Sequence, residues 1–240
     1  MPAWRDGRPL KRWTWVGAFG PDVMLCAAVA RIGPFTAAWW AVWDGSSFVE
    51  RSLRRRGGIV VTPSRVSVPG VLDLAVGPAA EVEVVSPHGS SYIWTRKRGG
   101  VRVTGTALGR VVDAFGLVDE SAGYHARRTS WWWSAGVGEL ASGAPVAWNL
   151  VHGIHDSVAA SERTVWVSGV PSEVGPVAFD GLRGVGDLRF SPEAVRARRD
   201  SLLLVSSDYE APFGTFTGVV PGAGALRSGW GVMERHDARW

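Results

Sequence analysis

The sequence predicts an all-β fold: two antiparallel barrels or curled sheets packed together, with little helix. Three observations predict it. Apolar and polar residues alternate with period two in "RWTWVGAF", "AEVEVVS" and "RTVWVSG". Turn signals recur every ~8–15 residues, among them Asp44-Gly45, Pro87-His88-Gly89, Gly99-Gly100 and Pro221-Gly222. The stretch "WTWVGAFG" from Trp13 is echoed by "WWWSAGVG" from Trp131, an offset of 131 − 13 = 118 residues in a chain of 240.

The elements follow in order. Trp13 and Trp15 alternate with Arg12 and Thr14 on a first strand, which turns into the apolar "VMLCAAVA". The basic run "RSLRRRGG" (Arg51 to Gly58) contains no aromatic residue and reads as a solvated hairpin edge. "YIWTRKRGGVRVTGT" reads as a hairpin turning at Gly99-Gly100. The internal echo places a boundary near Ala107 to Arg110, dividing residues 1–108 from 109–240. "SPEAVRARRDS" (Ser191 to Ser201) is the one helix candidate, with Ser as N-cap and Pro in the first turn.

Composition bounds the function. Apolar residues make up 46%, enough for a packed core. The net charge is +4, and 24 of the 26 basic residues are arginine, which reads as a GC-rich genome and not as a nucleic-acid footprint. Cys26 is the only cysteine, so no intrachain disulfide forms. The longest uncharged apolar run is 8 residues, against the roughly 20 a membrane helix needs. The expectation is a soluble cytoplasmic protein without a membrane span or nucleic-acid partner. No P-loop, G-x-S-x-G, H-E-x-x-H or C-x-x-C is present, so no cofactor and no metal are expected. His152 and His155 in "HGIHD" read as polar turn residues.

The densest aromatic stretch is "GYHARRTSWWWSAG", from Gly123 to Gly136. If it is extended, His125, Arg127, Thr129, Trp131 and Trp133 share one face. Burying each tryptophan removes about 150–250 Å² from water, roughly 4–6 kcal/mol as an upper bound. That face therefore points inward and takes Arg127 with it. Near the C-terminus, Val232, Glu234, His236 and Trp240 share a face by the same alternation. Glu234 among tryptophans is either a general acid with a raised pKa or the partner of Arg127 in a structural ion pair. Asp119 and Glu120 are further acids, with Asp119 also suited to starting a turn. His125 and His236 could orient an acid or hold water, and Asn149 is a weaker ligand-binding candidate.

Six stretches together resemble a bacterial family, the domain of unknown function 2804: "RDGRPLKRW", "SYIWTRK", "GLVDESAGYHARRTSWWWSAGVG", "WNLVHGIHD", "PFGTFTG" and "GVMERHDARW". More distantly, "GYHARRTSWWW" is similar to a segment of the hydroxyneurosporene synthase and AttH-like group. That resemblance implies two lipocalin-like (calycin-type) β domains with a site at their junction, and it adds Tyr124 to the ligand-binding residues. In place of that group's Asp-His pair this chain has Ala126-Arg127-Arg128. Three functions follow as expectations. The first is binding of a hydrophobic, isoprenoid- or lipid-like small molecule in a tryptophan-lined cavity. The second is a cofactor-independent hydratase, cyclase or isomerase using a desolvated carboxylic acid. The third is a carbohydrate-binding or glycan-acting protein, which would need two facing carboxylates about 5–10 Å apart.

Overall fold

The computed structural model describes residues 1–202 and 205–239. A small hairpin, β1 (Trp4–Arg5) with β2 (Arg8–Pro9), precedes two large antiparallel sheets. The first contains β3 (Lys11–Phe19), β4 (Met24–Ile32), β5 (Phe35–Trp43), β6 (Phe48–Leu53), β7 (Val60–Thr62), β8 (Arg65–Val68), β9 (Leu72–Val76), β10 (Glu81–His88), β11 (Ser91–Ala107) and β12 (Arg110–Gly123). Its order is β6-β5-β4-β3-β12-β11-β9-β8-β7, with β10 also on β11. The second contains β13 (Arg128–Leu140), β14 (Pro145–His152), β15 (Thr164–Val167), β16 (Val170–Glu173), β17 (Gly184–Val185), β18 (Leu188–Leu202), β19 (Val205–Val220) and β20 (Gly224–Arg239). Its order is β16-β15-β14-β13-β20-β19-β18-β17. Neither sheet closes into a barrel, and no helix occurs among the described residues.

Period-two alternation sends successive side chains to opposite faces, and here both faces of the central strands are apolar. On β3, Val16 and Ala18 enter a core inside the first sheet, while Trp15 and Phe19 face the second sheet. On β13, Trp133, Ala135 and Val137 face the first sheet, and Ser134 receives the Trp148 indole N–H on the other side. Three cores result: one within each curled sheet and one between them.

The internal echo has a structural basis. β3 and β13 hold equivalent places, each beside the last long strand of its sheet. Trp15 and Trp133, 118 positions apart, meet edge to face at 5.1 Å across the junction. The chain leaves the first sheet at Gly123, however, and not at residue 108, because β12 runs between β11 and β3. Leu108 and Gly109, both at positive φ (50° and 79°), turn the hairpin that keeps β12 there.

Two local expectations fail. Gly99-Gly100 is not a hairpin tip but a bulge inside the 17-residue β11. Gly100 takes φ 73°, and the shifted register moves the inward face from Ile93 to Val101 and Val103. A Cβ on Gly99 would lie 2.3 Å from the Trp166 ring, so only glycine lets that indole pack. Ser191 to Ser201 is strand, not helix: β18 pairs with β19 along its length, and tertiary pairing overrides the capping signal.

Candidate functional site

Strand register builds the junction as two facing rows. Across the first sheet, Val82, Lys97, Asp119, Trp15, Ala28, Trp39 and Ser52 are successive cross-strand partners. Across the second, Val151, Trp133 and Glu234 are partners, and Arg196 continues the face beside Ala211. The rows meet where Trp15 packs on Trp133 and where Arg196 donates to Ser52 Oγ at 2.7 Å.

Glu234 sits in this layer at 8% exposure. Its Oε1 accepts from the Trp131 indole N–H at 2.8 Å, and Tyr209 is also hydrogen-bonded to it. Burial pushes its pKa up to about 7, and the negative charge of Asp119 adds to the rise. The two hydrogen bonds and the positive charge of Arg196 oppose the shift without cancelling it. Arg196 pairs instead with Glu50 at 3.1 Å, and its guanidinium lies over the rings of Tyr209 (4.8 Å) and Trp39 (5.5 Å). The Trp39 indole N–H is enclosed without a hydrogen-bond partner. His236 packs on Trp131 at 4.3 Å between ring centres and shares a 2.8 Å hydrogen bond with Ser207. Burial lowers its pKa to about 4, so it is neutral at physiological pH. Trp131, Tyr209, His236 and Trp39 are only half-buried. They form an aromatic collar over a buried carboxyl.

A second polar cluster lies beside the first. Lys97 Nζ, with 5% of its side chain exposed, contacts Asp119 Oδ1 at 2.6 Å and Glu162 Oε1 at 3.3 Å. Burial pulls its pKa down, but the two carboxylates outweigh burial and the net shift is upward. Trp13 Nε1 donates to Asp119 Oδ2 at 3.3 Å. Asn149, fully buried, accepts from Trp133 Nε1 at 2.7 Å and donates to the Glu162 carbonyl at 2.8 Å. His125 stacks beside Trp13 at 5.1 Å, and burial holds its pKa well below the usual value.

The structure thus gathers Asp119, His125, Trp131, Trp133, Asn149, Glu234 and His236 at the junction. Others fall elsewhere. Arg127 is exposed in the connection before β13, because extended structure begins only at Arg128; it does not point inward with the tryptophans. The cation that influences Glu234 is Arg196, not Arg127. Asp119 lies within β12 and starts no turn. Glu120 lies one residue on, so it faces away from Asp119, and pairs with Arg96 at 2.8 Å. Tyr124 is buried and ties its hydroxyl to the Pro2 carbonyl at 2.7 Å. Thr129 is buried and bonds the Ala126 carbonyl at 3.0 Å. Trp240 lies outside the described residues.

Two cavities open nearby. One of about 570 Å³ lies at the Phe19, Val137 and Trp230 end of the junction, and one of about 360 Å³ between β10 and the Ser161–Thr164 region. Neither is lined by Trp131, Trp133 or Glu234.

A family model described as "Domain of unknown function (DUF2804)" matches residues 62–240, three quarters of the chain and both halves of the junction. The chain belongs to this family. Two solved structures are similar to this DUF2804 protein in fold. An AttH-like protein from Nitrosomonas europaea has 12% identity and a TM-score of 0.50, with 97% of this chain and 94% of that chain covered. A kievitone hydratase from Nectria haematococca has 10% identity and a TM-score of 0.51, with 94% and 88% covered. No curated protein matches. The fold of the DUF2804 chain is therefore the lipocalin-like one of these structures, with antiparallel sheets that remain open.

Sequence reasoning missed Arg196, Tyr209, Lys97 and Glu162. Reading β18 as a helix hid Arg196. A strand reading would have alternated Ala194 and Arg196 inward. Lys97 carried a usable signal: it is one of two lysines in the chain and alternates with Ile93 and Thr95.

Proposed function

We propose that this protein binds a hydrophobic, isoprenoid-like small molecule against the aromatic collar, and that Glu234 exchanges a proton with it without a redox cofactor. The observation that carries this reading is a buried carboxyl held by neutral donors, with a pKa of about 7. Such a group is protonated often enough at neutral pH to act as an acid, and ionises readily enough to take the proton back. Donation of the Glu234 proton to an alkene carbon forms a C–H bond and leaves a carbocation. Tryptophan and tyrosine faces stabilise cationic character. Capture by water forms a C–O bond, and the Glu234 carboxylate removes the surplus proton. Loss of a proton from a neighbouring carbon instead gives isomerisation. A fold shared with a protein called a hydratase makes water addition the first reaction to try.

Binding without turnover is the second reading. It is favoured by the closed packing of Trp133 on Trp15 and by the two cavities lying away from Glu234. A glycan-acting role fits less well, because Asp119, the carboxylate whose charge acts on Glu234, is held by Lys97 and Trp13.

The test starts with native mass spectrometry of protein purified from its own host, which identifies a co-purifying molecule. That molecule is then offered to wild type and to Glu234→Gln. The expected result is retained binding with turnover reduced by at least ~100-fold, the scale of losing a general acid. Wild-type turnover by the variant removes Glu234 from the chemistry. Binding by both proteins with turnover by neither selects the second reading.

A further inference from the structure

The Lys97 cluster contains two polar atoms that the protein itself leaves unused. Both oxygens of Asp119 are partnered, by Lys97 and by Trp13. Glu162 uses Oε1 on Lys97, while its Oε2 is buried without a hydrogen bond. Glu162 is 3% exposed. His155, 7% exposed, shares Nδ1 with Ser86 Oγ at 2.8 Å, while its Nε2 is buried without a partner. The two residues are joined by a backbone bond, Glu162 N to His155 O, at 3.0 Å. A buried polar atom without a partner is costly, so the pair calls for a partner that the chain does not itself supply.

Their chemistry is complementary. Burial, together with the charge of Lys97, lowers the His155 pKa to about 3, so its ring is neutral and carries one N–H. When the Ser86 hydroxyl donates to Nδ1, that N–H is at Nε2. The cluster then presents one donor, His155 Nε2–H, and one acceptor, Glu162 Oε2. A hydroxyl group can serve at either atom: it donates to a carboxylate and accepts from an imidazole N–H. An ether or ketone oxygen satisfies only the donor, an ammonium only the acceptor, and a hydrocarbon neither. The backbone supports a fixed role for His155, which takes φ 52°, a left-handed value uncommon outside glycine.

We propose that Lys97, Glu162, His155 and Ser86 form a second polar subsite, which holds a hydroxyl group of the molecule that Glu234 acts on. The proposal rests on the reading of Glu234 given above. Lys97 fixes the Glu162 carboxylate by occupying its other oxygen, and Ser86 fixes the imidazole. The row register sets the spacing. Lys97, Asp119 and Trp15 are adjacent partners, and Trp15 meets Trp133, the partner of Glu234. The hydroxyl and the reacting carbon are thus separated by about two strand spacings, roughly 10 Å. The ligand is an amphiphile, an apolar skeleton with a hydroxyl at one end and the reacting carbon toward the other.

The test compares farnesol, farnesyl methyl ether and farnesene, which share a skeleton, by titration calorimetry against wild type, Glu162→Gln, His155→Phe and Glu234→Gln. Wild type is expected to bind the alcohol at least ~10-fold more tightly than the ether or the hydrocarbon, the scale on which a buried polar site rejects an analogue lacking its group. The preference falls to within about threefold in Glu162→Gln or His155→Phe, with hydrocarbon affinity unchanged, and it survives in Glu234→Gln. Equal binding of all three probes by wild type overturns the subsite, since trapped water then satisfies the two atoms. Persistence of the preference in both subsite variants overturns it too. If no probe binds, the hydrophobic-ligand reading fails and the subsite fails with it.

Discussion

Replacing Glu234 by glutamine tests the junction through stability alone, with no knowledge of the ligand. The folded-state pKa of Glu234 is about 7, against 4.5 for the free side chain. Between those values the native state binds the proton that the unfolded chain has released, so wild-type stability falls as pH rises. At low pH the carboxyl is neutral in both states and the penalty vanishes. The rise from 4.5 to about 7 corresponds to about 3 kcal/mol of penalty once the pH exceeds 7. Most of it, about 2–3 kcal/mol, develops between about pH 5 and about pH 8. Glutamine has nearly the same shape and does not titrate. Urea unfolding of wild type and Glu234→Gln across this range is therefore expected to show the variant gaining about 2–3 kcal/mol relative to wild type as the pH rises. His236 and His155 have depressed pKa values. They lose stability in the opposite direction, as pH falls, and cancel in the comparison because both proteins contain them. A stability difference independent of pH would refute the premise that burial governs Glu234, and the acid reading would fall with it.

Two further predictions probe the frame around the site. Gly99→Ala places a methyl group into the Trp166 ring; it is expected to cost about 2–3 kcal/mol in urea unfolding, and a change below ~0.5 kcal/mol would show that the sheets separate easily there. Arg127→Ala is expected to leave stability within about 0.5 kcal/mol of wild type and the titration of Glu234 unchanged, whereas Arg196→Gln raises the Glu234 pKa by removing a positive charge that favours the ionised carboxylate. Isotope-edited infrared titration of the Glu234 carboxyl reads both, and a response to Arg127 but not to Arg196 would reverse the assignment.

Much of the architecture was legible in the sequence because alternation is a local property. The spacing of Trp131 and Trp133, and of Val232 and Glu234, fixes which side chains share a face whatever the strands pack against. The echo between Trp13 and Trp131 likewise predicted two similar sheets. Its boundary was misplaced because the sequence contains no mark of which sheet β12 joins. That choice depends on β3, nearly a hundred residues earlier, which pairs with β12 along nine residues.

By itself, then, the sequence determined most of the strands, which neighbouring side chains share a face within them and the presence of a carboxyl among tryptophans. Only the tertiary structure decided its neighbours. Cross-strand register brings Lys97 beside Asp119 and carries Arg196 to the face that Glu234 occupies. The bulge at Gly100 reverses the inward face of β11, so that Lys97 looks into the junction while Val103 fills the core behind it. Such pairings join residues tens to more than a hundred positions apart, and the energy that selects among them arises from burial and charge compensation once both sheets are in place.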